Sequence, residues 1–96
     1  MTPSFAVQPT SHYERLSVKL QKSDRDFEAT EASAVRILLE DPYNRSRRHK
    51  IKKLEGVPRG DGQYRLSLGR WRFRYDILDQ LVLLGYCGLR REDTYS

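Results

Sequence analysis

With only one cysteine, Cys87, the chain cannot form an internal disulfide, and its two histidines, His12 and His49, fall at no ligand spacing that would complete a zinc set. No metal and no other cofactor is expected. No apolar run approaches the roughly 20 residues of a membrane span; the longest, residues 81–89, is interrupted by glycines and reads as a buried strand. A GxxxxGK[ST] phosphate loop is also missing, and RGDGQ at residues 59–63 does not join a strand to a helix as a nucleotide loop should. No positively charged, apolar leader opens the chain, so a reducing cytoplasm without membrane association is the expectation. Its 96 residues, 38% of them hydrophobic, suit one domain, 1–96, with one core.

What the chain has in excess is positive charge, and that charge is local. Residues 1–44 hold five Lys/Arg against seven Asp/Glu, residues 45–74 eleven against two, and residues 75–96 two against four. A concentrated patch of this kind is the electrostatic footprint of a nucleic acid or acidic protein partner. Much of it lies in RSRRHKIKKLEG, residues 45–56, where Arg45, Arg47, Arg48, Lys50, Lys52 and Lys53 surround two aliphatics, Ile51 and Leu54. Those cations are candidate phosphate contacts, the alternative being an ordinary solvated loop. His49, inside the run, reads as one more exposed residue of it.

The patch continues into YRLSLGRWRFRYDI, residues 64–77. Tyr64, Leu66 and Leu68 alternate with Arg65 and Ser67, and Trp71, Phe73, Tyr75 and Ile77 alternate with Arg72, Arg74 and Asp76, the pattern of two half-buried strands. Gly69-Arg70 between them predicts a two-residue type II′ hairpin, since glycine accepts the positive φ of the first central position. The implied register sets Leu68 against Trp71, Leu66 against Phe73 and Tyr64 against Tyr75. On the opposite face Ser67 meets Arg72 and Arg65 meets Arg74. Like charges directly opposed on a sheet are unfavourable, so an anionic partner is expected to compensate them.

Upstream, Phe5 and Val7 share one face of a short first strand closed by Pro9. Ser11 with Glu14 predicts a capping box opening a helix, whose stripe is Tyr13, Leu16 and Leu20. After Ser23 a second helix of different length follows, with Phe27, Ala34, Val35 and Leu38 on one face and Pro42 ending it. A fourth strand covers residues 81–89. The order β-α-α-β-β-β predicts an α+β fold: a small antiparallel sheet with a helical hairpin on one face and the other face open to a ligand.

A set of arginine, lysine and tyrosine can still cleave RNA. Attack by the ribose 2′-hydroxyl needs an in-line geometry and charge stabilisation on the phosphorane, which fixed guanidinium groups supply. A general base is the missing part.

Residues 53–95, KLEGVPRGDGQYRLSLGRWRFRYDILDQLVLLGYCGLRREDTY, resemble the RelE/ParE superfamily of toxins of type II toxin-antitoxin systems. The shared pattern is K-L-x-G, then Y-R-[LIV], then G-x-[YW]-R, and a closing Gly-Leu-Arg-Arg…Tyr. The helical half agrees only in element order and length. The resemblance implies the β-α-α-β-β-β fold and, in the RelE branch, a ribosome-dependent endoribonuclease that cuts mRNA in the A site without metal. Its implied partners are the ribosome, mRNA and a cognate antitoxin. Residue by residue it makes Arg65 a phosphate contact, Arg72 the stabiliser of the transition state, Arg90 the leaving-group acid and Tyr95 the residue that stacks on the nucleotide being cut. Arg74 and the run from Arg45 to Lys53 become further RNA contacts. Where the RelE branch has a lysine as base this chain has Ser67, so either Arg65 or Lys53 assists, activity rests on positioning, or the target differs. A ParE-like gyrase inhibitor and a non-catalytic basic RNA-binding module are the alternatives.

Overall fold

The computed structural model describes residues 5–90, and every structural statement below concerns those residues. The fold is α+β. A strand, β1 (Ala6–Pro9), precedes two helices, α1 (Ser11–Ser23) and α2 (Phe27–Glu40), and four strands follow: β2 (Lys50–Lys53), β3 (Tyr64–Leu68), β4 (Trp71–Leu78) and β5 (Leu81–Leu89). They form one five-stranded sheet in the order β1-β5-β4-β3-β2.

Two expectations are corrected by this arrangement. The sheet is mixed, because β1 runs parallel to β5, with Ala6 beside Leu81 and Pro9 beside Leu84. It also has a strand more than expected: Lys50–Lys53, at the heart of the basic run, pairs antiparallel with β3. Edge strands tolerate lysine because a charged edge discourages further pairing, and Ile51 alone turns its apolar side chain toward the core cluster.

The hairpin register agrees with the alternation residue by residue. Leu68 pairs with Trp71, Ser67 with Arg72, Leu66 with Phe73, Arg65 with Arg74 and Tyr64 with Tyr75. Gly69 has φ +58°, while Arg70 is absent from the positive-φ residues, as a II′ turn requires. The turn is tied to the helical layer: Arg70 Nη2 donates to Asp24 Oδ1 at 3.0 Å and Asp26 Oδ1 at 2.9 Å, and Trp71 Nε1 donates to Asp26 Oδ2 at 3.2 Å. Those contacts hold the Asp26 carboxyl below its ordinary value, the Arg70 hydrogen bond most of all.

One face of the sheet buries Leu66, Trp71, Phe73, Tyr75, Val82, Leu84 and Cys87 against Tyr13 of α1 and Phe27, Ala34 and Leu38 of α2. Phe27 meets the Trp71 ring edge-on at 5.0 Å between centroids, a geometry favoured by the aromatic quadrupoles. The helices are close to equal, 13 and 14 residues. The cap of α1 is Thr10 rather than Ser11: Thr10 Oγ1 accepts from Tyr13 N at 3.1 Å. No helix is long and apolar enough to cross a membrane.

Candidate nucleic-acid interface

The second face of the sheet carries the residues of the other parity. On β5 that parity changes midway, because Arg74 pairs with Tyr86 and Tyr75 already pairs with Leu84, leaving Gly85 as the extra residue of a bulge. Val82 and Leu84 therefore face the helices before the bulge, Cys87 faces them after it, and Tyr86 and Gly88 turn to the open side. Reading across the sheet, one row runs Gly88, Arg72, Ser67, Lys50, and the next runs Tyr86, Arg74, Arg65, Lys52. Five cationic side chains thus originate from two adjacent rows.

They are not equivalent. Lys50 and Lys52 are exposed, Arg65 and Arg72 half-buried. Arg72 Nη1 donates to the carbonyls of Gly69 at 2.8 Å and Trp71 at 2.9 Å, which folds its guanidinium back along the hairpin turn and fixes it there. Arg74 departs from the expectation of an RNA contact: it is 6% exposed. Its Nε donates to Gly62 O at 3.2 Å, and its Nη2 donates to Asp61 O and Gly62 O, both at 2.9 Å. The like-charge pair Arg65–Arg74 is therefore relieved in part by loop carbonyls. Lys53 is likewise redirected. It projects from the side that faces Tyr64, with its ammonium 5.7 Å from that ring, and so lies away from Ser67. The amine opposite Ser67 is that of Lys50.

The loop that captures Arg74 also covers part of the face expected to be open. Asp76, 4% exposed, accepts from Gly62 N at 2.9 Å and Gln63 N at 3.1 Å. Gly62 has φ +81°, and a Cβ there would come within 3.0 Å of Arg74 Cβ, so only glycine lets the loop settle on that side chain. Beside it opens a cleft of about 360 Å³ lined by His12, Gly60, Asp61, Gly62, Arg74, Gly85 and Tyr86. Tyr86 was not legible as a site residue. A Cβ on Gly88 would lie 2.9 Å from Tyr86 Cζ, and closer still to its hydroxyl oxygen, so the phenol ring extends over Gly88 and brings its hydroxyl level with Arg72. Two glycines, 85 and 88, in an otherwise apolar strand were the available signal, since glycine inside a strand marks a bulge or a close approach.

The basic run divides in two. Lys50, Lys52 and Lys53 belong to β2, and Arg45, Arg47 and Arg48 are exposed on the loop before it. That loop is held from inside. Asp41 accepts from Arg45 N at 2.8 Å, Ser46 N at 3.1 Å and Ser46 Oγ at 2.6 Å, and the Asn44 side chain both donates to His49 O at 2.8 Å and accepts from His49 N at 3.1 Å. Arg45 lies 5.1 Å over the Tyr43 ring, at the rim of a second hollow of about 550 Å³ that Phe5, Glu40, Asp41 and Asp79 also line. Its carboxylates make that hollow a poorer place for phosphate than the sheet face.

Arg90 is exposed, and its backbone N donates to Arg70 O at 2.8 Å, which places it just past the end of β5 beside the hairpin turn. Tyr95 lies outside the described residues. Among the described residues no group of three His, Cys, Asp or Glu side chains converges as a metal site would need. No family model, no curated protein and no solved structure matches this chain.

Proposed function

We propose that this chain is a RelE-like toxin, a ribosome-dependent endoribonuclease that cleaves mRNA by attack of a ribose 2′-hydroxyl on the neighbouring phosphate. The observation that supports the reading is the row of Arg72, Ser67 and Lys50 beside that of Arg65 and Lys52, on three hydrogen-bonded strands whose other face is packed into the core. Fixed cations on a rigid sheet can hold a phosphodiester in line and stabilise the dianionic phosphorane without reorganising at the moment of reaction. Arg72 is suited to the second task because a guanidinium offers two parallel donors to a phosphoryl group. Arg90, just beyond the hairpin turn, takes the role of acid toward the departing 5′-oxygen that the resemblance implies. Lys50 contributes charge where Ser67 has none. The exposed Arg45, Arg47 and Arg48 hold ribosomal RNA phosphates without choosing sequence, and a cognate antitoxin with an acidic segment covers the same cations.

One observation favours a second reading. Arg74, buried on loop carbonyls, and Lys53, exposed but turned toward the Tyr64 side, were both expected on RNA and both leave that face, which thins the RNA-facing set and suits a ParE-like toxin that acts on gyrase by protein contact. Mapping mRNA 5′ ends after brief induction, beside a gyrase supercoiling assay with the purified protein, separates the two. New ends within codons that vanish with Arg72→Ala support the nuclease. Inhibited supercoiling with no new ends overturns it.

A further inference from the structure

The cleft beside the cationic rows has no part in the chemistry above, yet its lining is unlike that of an ordinary surface dimple. Three of its seven residues, Gly60, Gly62 and Gly85, have no side chain, so flat backbone lines the cleft where most loops would present Cβ atoms. Two others, His12 and Tyr86, are rings carried by different elements, the start of α1 and the bulged part of β5. Charge enters from Asp61 and from Arg74, whose Nε and Nη2 already donate to the carbonyls of Asp61 and Gly62. About 360 Å³ is in the range of small-molecule sites and generous for one planar heterocycle.

Position gives the cleft its meaning. Tyr86 is the neighbour of Arg74 in one row, and its ring reaches over Gly88, the neighbour of Arg72 in the next. Rows two residues apart are separated by roughly 7 Å along a strand, comparable to the distance from a nucleotide's base to its own phosphate. A phosphate resting at Arg72 would therefore bring its base to the cleft.

We propose that this cleft is a nucleobase pocket, in which the base of the ribonucleotide bound at Arg65 and Arg72 lies against the Tyr86 ring with His12 as the opposite wall and Asp61 at its edge. The ligand class is a single-stranded ribonucleotide, recognised as such bases generally are, by stacking on a ring and by hydrogen bonds to the exposed edge. Asp61 is an acceptor, so it favours bases with an exocyclic amino group, adenine, cytosine and guanine, over uracil. The pocket rests on the ribonuclease reading only for the location of the phosphate.

The test is a titration of the isotopically labelled full chain, followed by amide NMR, with AMP, CMP, GMP and UMP and with ribose 5-phosphate as the base-free control. The amino-bearing nucleotides should move the amides of Gly60, Gly62, Gly85 and Tyr86, and UMP should do so at several-fold higher concentration. Ribose 5-phosphate should move only those of Arg65 and Arg72. Tyr86→Ala should weaken the nucleotides about tenfold, the loss expected for one stacked base, and leave ribose 5-phosphate unchanged. Tyr86→Phe should bind as the wild type does, and Asp61→Asn should abolish the discrimination against UMP. Silent cleft amides with all four nucleotides, the same shifts with ribose 5-phosphate, or unaltered binding by a Tyr86→Ala protein with native spectra elsewhere would each overturn the pocket. Mapping of mRNA ends with the same protein keeps the two ideas apart: ends without cleft shifts sink the pocket alone, and cleft shifts without ends sink the nuclease alone.

Discussion

Arg74 and Asp76, two residues apart on β4, grip the same loop residue through its two flanking peptides: the guanidinium donates to Gly62 O while the carboxylate accepts from Gly62 N. Both are buried, and hydrogen bonds to charged groups contribute about 1.5 to 3 kcal/mol each. Asp76→Ala and Arg74→Ala should each destabilise the fold by roughly 2 to 4 kcal/mol in urea unfolding, because each leaves the partner charge buried beside a loosened loop. Asp76→Asn should cost less. If either alanine variant unfolds at the wild-type midpoint, the loop is not held this way.

Arg72 should behave in the opposite manner. Among the described residues its guanidinium donates to carbonyls of a turn that Arg70 and Trp71 already anchor to Asp26. Arg72→Lys and Arg72→Ala should therefore fold, with a stability change within about 1.5 kcal/mol, and still bind the antitoxin that the proposed function implies. On the proposed ribonuclease reading both should lose growth arrest and mRNA cleavage, by about 2 to 4 kcal/mol in barrier if the loss equals that of one preorganised donor. Since lysine cannot reproduce the guanidinium fork, full toxicity in Arg72→Lys would remove bidentate recognition from the mechanism.

On the same proposed reading, charge on the loop before β2 should set affinity but not the site of cleavage. Replacing Arg45, Arg47 and Arg48 with glutamine should weaken ribosome binding and flatten its dependence on salt, since a protein that neutralises fewer phosphates displaces fewer counterions. The measurement is the slope of log affinity against log salt. An unchanged slope would make these arginines a solvated surface.

The same loop should loosen in acid. Burial raises the proton affinity of Asp41, but the Ser46 hydroxyl, the amides of Arg45 and Ser46 and the nearby His49 outweigh it and hold the carboxyl below the ordinary range. A carboxyl lowered by folding contributes stability that is complete above its unfolded value, about 3.9, and is lost as pH falls through its folded value. Exchange rates of the Arg45 and Ser46 amides should accordingly rise in acid with a midpoint under about 3.9, and Asp41→Asn should abolish the transition. A midpoint above that value would show the loop is not held by the ionised carboxylate.

Cys87 should be inert while the protein is folded. It is 1% exposed, and burial, with the Glu31 carboxylate near it, pushes its thiol up to about 12. The thiolate is the reactive form, so alkylation by iodoacetamide at about pH 8 should be negligible in buffer and complete in denaturant. Rapid modification of the folded chain would contradict the packing of β5 against α1.

How much of this could be read from the chain depends on how strongly each segment specifies its own geometry. The β3–β4 hairpin was legible in full because period-two alternation on both arms and a glycine at the required turn position leave one register, and a slip by one residue would expose Trp71, Phe73 and Tyr75 together. β2 was hidden because an edge strand rich in lysine resembles a solvated loop when Ile51 is its only apolar member. The bulge at Gly85 was hidden for the reverse reason. In a run that is apolar at almost every position, a change of face leaves no trace in the alternation and is marked only by Gly85 and Gly88, so Tyr86 passed for a core residue. Likewise the arginine-rich parity identified the charged face but not which arginines the loop would claim, since the positions of Gly62 and Asp76 across the sheet are tertiary facts.

The place of β5 between β1 and β4 has a bearing on how this molecule comes into being. Ala6 has no ladder partner until Leu81 has been made, and neither Arg72 nor Arg74 is flanked on its β5 side until Gly88 and Tyr86 arrive. Closing contacts of such high sequence separation delays the rate-limiting step of folding, so assembly on the millisecond-to-second scale of non-local topologies is expected. The cationic rows are thus completed only when the last of the described strands has been made, and a nascent chain that already carries Arg65, Arg72 and Arg74 lacks the rigid face that would make them a site until residues 81–89 follow.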